Sequence, residues 1–287
     1  MNSRLFLNLS LLVGVIIIAL FIINAPDKSK TDIIKLGRTN TDPINNILIQ
    51  TNGLPDVQLQ RDADDNWQMT LPYQVKANNQ AINEVLKLPN AISHSRFSAI
   101  EKDLTTYSLK PAKASLHLND DEYLFGSVEH INKRRYVLNN NTIHLTTDLF
   151  YHRLRTTAES FISPQLIPSN VSITSMTLPE LSLNQSAKGD WLVSGAQSVN
   201  SELASDSIQT LFDHWRHKRA IKILPLMTAD NAKDILIRFS DNSNILFSFI
   251  KTDSELILIR ADLGFQYHLP ASAANDLLTL SNTAAKK

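Results

Sequence analysis

The chain has 287 residues, 43% of them hydrophobic, which is enough to bury a sizeable core and excludes a disordered polypeptide. Lys plus Arg and Asp plus Glu are equal at 28 each, so no global field gathers nucleic acid or any acidic polymer. The absence of cysteine excludes disulfides, thiolate catalysis and Cys-ligated metal, and it fits either redox compartment.

The first predicted element is "LFLNLSLLVGVIIIALFII", residues 5–23, 19 residues without a charge. As a helix it spans roughly 28 Å and matches a bilayer core. Pro26 directly follows Ala25, the one plausible cleavage position, which favours an uncleaved anchor over a signal peptide. Residues 1–24 are thus expected to form a single-pass inner-membrane anchor contacting the lipid bilayer, with the bulk of the chain in the periplasm. Residues 25–43 read as a polar tether.

From there the chain says nearly the same thing twice. "LPDVQLQRDADDNW" (Leu54 to Trp67) and "LPELSLNQSAKGDW" (Leu178 to Trp191) share apolar alternation of period two around a polar turn, the pattern of a strand hairpin. In this register Val57 falls on Leu181, Leu59 on Leu183 and Trp67 on Trp191, and upstream Ile47 and Ile49 fall on Val171 and Ile173. At an offset of 126, Ile82, Val85 and Leu86 fall on Ile208, Leu211 and Phe212 with helical spacing, with Asn79 and Asn200 or Ser201 as caps. At an offset of 121, "ASLHLNDDEYLFG" lies on "ILIRFSDNSNILF", which sets Gly126 against Phe247. Terminal helices are expected at Asp148 and after Pro270, the latter as a first-turn proline. The sequence therefore predicts an α+β fold: two tandem antiparallel-sheet-plus-helix units, residues 44–160 and 161–280, following the anchor, joined by "FISPQLIPSN" and closed by a flexible tail, 281–287.

The first unit, over roughly residues 50 to 155, resembles a family known as domain of unknown function 4340. The resemblance is carried by "NWQMTLP", "ANNQAINEVLKLP", "TYSLKP" (Thr106 to Pro111), "YLFG" ending in Gly126 and "RRYVL" around Tyr136. The second unit lacks the "TYSLKP" equivalent and has "LILI" in place of "RYVL". Members are bacterial proteins with one N-terminal membrane helix, some encoded beside ABC-type transport or gliding machinery. The resemblance brings no activity and no catalytic residue.

Few stretches carry chemistry. "HWRHKR" gathers Arg216, Lys218 and Arg219 with His214 and His217 at a helix end, and "NKRRY" gathers Lys133, Arg134 and Arg135 before a strand. Together they form a candidate patch for an anion or for a partner's acidic face, against the plainer reading of solvated helix-end and edge cations. "DADDN" opens like a calcium loop, but Trp67 holds the glycine position and Tyr73 that of the final glutamate, so it reads as a turn. No Gly-x-Ser-x-Gly elbow or glycine-rich phosphate loop occurs among the seven glycines. The expectation is a non-catalytic protein without a cofactor whose extracytoplasmic domain binds or scaffolds another membrane or envelope protein, such as an ABC-type transporter. The alternative is a module holding a small molecule, lipid or glycan in a concave, apolar-lined pocket between the two repeats.

Overall fold

A computed structural model describes residues 11–20, 34–37, 43–195, 201–227 and 232–280, without the side chains of 201–204. A helix, α1, runs over residues 11–20. Among the described residues no helix is long and apolar enough to cross a membrane. The transmembrane anchor, and the single-pass inner-membrane placement drawn from it, are corrected accordingly; residues 5–10 and 21–23 of that anchor lie outside the described residues, as does the predicted tail.

The fold class is corrected as well. The molecule is built on two large antiparallel sheets, to which the helices are minor additions, and is not a pair of α+β units. The first sheet has nine strands: β1 (Asn46–Thr51), β2 (Val57–Arg61), β3 (Trp67–Leu71), β4 (Val75–Lys76), β5 (Ser95–Ser98), β6 (Ala114–Leu118), β7 (Asp121–Val128), β8 (Arg135–Asn139) and β9 (Thr142–Thr146). Their order is β4-β3-β2-β1-β6-β7-β8-β9-β5. The second has eight: β10 (Ile173–Leu178), β11 (Leu181–Gln185), β12 (Trp191–Gly195), β13 (Lys222–Pro225), β14 (Lys233–Phe239), β15 (Asn244–Lys251), β16 (Glu255–Arg260) and β17 (Phe265–Pro270). Their order is β12-β11-β10-β14-β15-β16-β17-β13, the order of the first sheet with β4 set aside.

The pairing corrects the expected alignment in two places. Ile47 pairs with Leu59 and Leu118, whereas Met176 pairs with Leu183 and Ile237. Met176 therefore holds the place of Ile47, five residues beyond Val171, because Pro179 and Glu180 alone turn β10 into β11. Likewise Leu118 meets Asp121 where Ile237 meets Ile245, which sets Phe247 in the place of Tyr123 and not of Gly126. Unequal turns shift the register without disturbing the alternation.

Each sheet buries one face under helices. Asn78, rather than Asn79, caps α2 (Asn79–Leu86): its side chain accepts from the N–H groups of Gln80 and Ala81 at 3.1 and 3.3 Å. Ile82 and Val85 are buried, and helix α3 (Leu149–Leu154) adds Tyr151, whose ring lies 6.3 Å from Phe125. Over the second sheet, α4 (Ser201–His217) buries Ile208, Leu211, Phe212 and Trp215. Trp215 packs 5.6 Å from Phe247 and donates through Nε1 to the Leu277 carbonyl of α5 (Ala273–Leu278) at 3.0 Å. Pro270 ends β17 and does not open α5, and the cap role of Asn200 or Ser201 lies outside the described side chains.

The opposite face of the first sheet has a roof of its own. β5 lies at the sheet edge and β6 beside β1, so the connection 99–113 crosses β9, β8 and β7. It lays Tyr107 against Phe97 (5.6 Å) and Tyr136 (4.9 Å), and buries Leu109. Gly126 makes the crossing possible, since a Cβ there would stand 2.2 Å from the Tyr107 carbonyl oxygen. The "TYSLKP", "YLFG" and "RRYVL" motifs are thus parts of one structural junction. Within the stretch read as a tether, Leu36 is buried, and Leu36 and Gly37 donate to the carbonyls of Ala91 and Pro89 at 2.9 Å each.

Candidate functional site

The two sheets are stitched by residues 161–170. Ser163 donates to the Lys76 carbonyl and Asn78 to that of Phe161, while on the other side Ala220 donates to Pro164 and Gln165 bridges to Arg219. Ile162, Leu166 and Ile167 are buried in a core that runs through both sheets. Tyr73 closes the junction: its ring meets Phe265 edge-on at 5.4 Å and its hydroxyl donates to the buried Glu159 carboxylate. Burial, first, and that carboxylate push the Tyr73 phenol well above its ordinary pKa.

Beside this junction lies a cleft of about 650 Å³, with one wall from each sheet. The first wall is the β2–β3 hairpin. Asp62 locks its turn by accepting from the N–H groups of Asp64 and Asn66 at 3.0 and 2.8 Å and from Gln68 Nε2 at 3.0 Å. The hydrogen bond from Gln68, followed by that from Asn66, holds its carboxyl below the usual range. All the lone pairs of Asp62 that face the turn are thereby committed to the turn. Gln74 and Lys76 extend this wall.

The second wall is supplied by Ile245, Arg260, Leu263 and Tyr267. Arg260 is held by Asp262 through two hydrogen bonds of 2.9 and 2.7 Å and lies over the Phe247 ring. The Tyr267 phenol is pushed up to about 12 by burial. The stitching segment forms the floor through Ser163, Gln165 and their neighbours. The lining is amide-rich: Asp64 and Lys76 enter no ion pair among the described residues, Arg260 is neutralised by Asp262, and the Asp62 carboxylate leaves the described lining with an excess of negative charge. This differs from the apolar pocket expected between the repeats.

The predicted cationic residues stand elsewhere, and in two groups. Lys133 sits exposed in the β7–β8 turn with φ 55°, and the Arg134 carbonyl accepts from Glu129 N–H at 2.8 Å. Arg135 is buried: its guanidinium pairs with Asp148, donates to the Gly126 carbonyl and lies 3.5 Å over the Tyr151 ring. It is a core strut. At the end of α4, Arg216 lies 3.5 Å from Asp213, Lys218 pairs with Asp276 at 2.5 Å, and Arg219 donates to the Arg216 and Lys218 carbonyls. These contacts satisfy a helix C-terminus, where cations are favoured. Among the described residues no hydrogen bond or ion pair joins the two groups.

The two histidines of the predicted helix-end cluster, and His268, are likewise engaged. His214 and His217 meet the Asp276 and Asp213 carbonyls through Nδ1 at 3.1 and 2.8 Å. His268, on the second sheet, has Nδ1 2.7 Å from Glu255 and Nε2 3.0 Å from Gln266 Nε2, with Lys222 3.3 Å from Glu255. The hydrogen bond with His268 holds Glu255 below the usual carboxylate range. This dyad lacks a hydroxyl to activate, since its outer nitrogen faces the Gln266 amide. Among the described residues no group of three or more His, Asp or Glu side chains is placed to hold a metal ion.

Sequence reasoning missed the cleft residues Gln165 and Arg260. The available signal was the apolar content of "FISPQLIP", too high for an exposed linker. No family model, curated protein or solved structure matches the chain.

Proposed function

We propose that the protein is a non-catalytic binding protein that takes a neutral, hydrogen-bonding ligand of the glycan kind into the cleft between its two sheets. The observation that carries this reading is the lining itself: amides from Asn66, Gln68, Gln74 and Gln165 and hydroxyls from Ser163 and Tyr267 surround a space of about 650 Å³. Ligand sites favour such junctions between units, where a few polar groups converge on one volume. Because the described lining sets Asp62 and Asp64 against Lys76, with Arg260 already paired, an anion finds no favourable field there, whereas hydroxyl-rich ligands find both donors and acceptors.

The test is a thermal-shift and calorimetric screen of the full chain against neutral oligosaccharides. At least one should raise the melting temperature, and the Gln74→Ala/Gln165→Ala variant should lose that shift while keeping the melting temperature of the free protein. No response from any sugar, or an equal response from the variant, overturns the reading.

A second reading, a scaffold for another protein, is favoured by the outer face of the second sheet. There Leu192 and Leu246 are exposed, whereas the first sheet covers part of its equivalent face with the connection 99–113. Stoichiometric co-purification of a protein lost in a Leu192→Asp/Leu246→Asp variant would establish it; recovery of the tagged chain alone would remove it.

A further inference from the structure

A second cavity, of about 500 Å³, lies on the helix side of the second sheet and apart from the cleft, and its chemistry is different. It is bounded by the end of α5 (Ala274, Asn275, Leu278, Thr279), the tight β10–β11 turn (Pro179, Glu180) and the ends of β14 and β15. Its deep part is apolar. Phe249 and Ala274 are buried core residues, and Leu278 packs against the core at the side. Its mouth is cationic. Lys233 pairs in register with Phe249, and Lys251 follows two residues along the same strand, so both lysines project on the face that carries the Phe249 ring.

Both lysines are exposed, and neither enters an ion pair among the described residues. Among the described residues Glu180 is the one carboxylate at the rim, set against the two lysines. An apolar recess behind two unpaired ammonium groups complements a ligand with a single alkyl chain and an anionic head. The chain would remove apolar surface from water, and the head would gain charge-assisted hydrogen bonds at the mouth. A small hydrophilic anion would obtain only the second of these, from exposed lysines whose pairing contributes little on its own.

We infer that this cavity is a binding site for a monomeric fatty-acid-type carboxylate. The chain enters between Phe249, Ala274 and Leu278, and the carboxylate rests between Lys233 and Lys251.

The experiment titrates the full-length protein with decanoate, kept below micelle formation, by calorimetry, with decanol and acetate as chain-only and head-only probes. Decanoate should bind at one site, decanol more weakly, and acetate not measurably. Lys233→Glu/Lys251→Glu, which alters exposed side chains alone, should weaken decanoate by about tenfold or more and leave decanol unchanged. Ala274→Leu should block both, with folding checked by retention of the thermal transition. The inference is overturned if decanoate does not bind, if the charge-reversed variant binds it equally well, or if acetate competes with it fully. Binding only to anionic vesicles, and not to monomeric decanoate, also overturns it. A ligand of the inter-sheet cleft should neither compete with decanoate nor be affected by these substitutions, so the two sites fail or stand separately.

Discussion

The imidazole of His144, buried on β9 with Nδ1 2.9 Å from the Ser93 hydroxyl, is held below the ordinary histidine pKa by burial and, secondarily, by the Arg96 charge. Above about pH 6.5 the ring is neutral in both folded and unfolded chains, and the full stability is present. As pH falls from there toward the depressed folded value, the unfolded chain takes up a proton that the folded chain refuses, and stability is lost. Glu255, lowered by its hydrogen bond with His268, acts in a separate window: its contribution is present above the unfolded carboxylate value and disappears only in stronger acid. Urea midpoints measured at pH 7.5 and 5.5 should therefore fall less for His144→Gln than for the unaltered chain. Equal falls would mean that His144 is not the titrating group. Arg135 teaches a related lesson. In "NKRRY" it looks like its neighbours, but its place on a strand points its guanidinium inward, onto Tyr151 and Asp148. A buried charge with a dedicated partner is indistinguishable from a surface one until register is known.

At the scale of elements, the roof over the first sheet depends on one residue without a side chain. Tyr107 can come down onto Tyr136 only because Gly126 leaves the space its Cβ would fill, and Ser127 then donates to the same Tyr107 carbonyl at 3.1 Å. Gly126→Ala should force the backbone of the crossing outward and cost about 2 kcal/mol or more, or roughly 4–8 °C in melting temperature for a chain of this size. A change under 1 °C would show that the crossing is loosely held. The second sheet needs no glycine at this place. The pairing puts Ile250 there, and seven residues of sequence separate β13 from β14 where fifteen separate β5 from β6.

This junction also shows what the sequence makes legible. Alternation located most of the long strands, and the spacing of Ile82 and Val85 and of Ile208, Leu211 and Phe212 located two helices, because periodicity is a local property. The five-residue slip between Ile47 and Met176 was invisible, because a shortened turn changes the alignment and leaves the alternation intact. The fold class was misjudged for a related reason. A helix that covers a sheet has a pattern as clear as any strand, yet α2, α3 and α5 are short, and the strands dominate the molecule. The cleft was legible only as a junction. Its lining depends on which residues of β2–β3, β16–β17 and the stitching segment face one another.

Across the whole molecule the decisive feature is that the stitching segment belongs to both sheets at once. Ile162 bridges to Ala77 and Gln165 to Arg219, and the buried residues form a core that continues from Trp67 to Trp215. Chains well above 150 residues often unfold in stages, and two sheets of matching strand order invite the expectation of two independent transitions. The stitching argues against this, since neither sheet can open without exposing Ile162, Leu166 and Ile167. Trp67 reports on the first sheet, and Trp215 on the second. In variants retaining Trp67 or Trp215 as the sole tryptophan, urea denaturation should give a common midpoint. Ile162→Ala removes a buried side chain at the seam at a cost of about 2–5 kcal/mol. If the sheets unfold as one unit, it should lower both midpoints equally. Two separated midpoints, or a loss confined to one tryptophan, would show that the cleft lies between two bodies able to move apart. Its ligand would then act by holding them together, with a stabilisation that grows with ligand concentration.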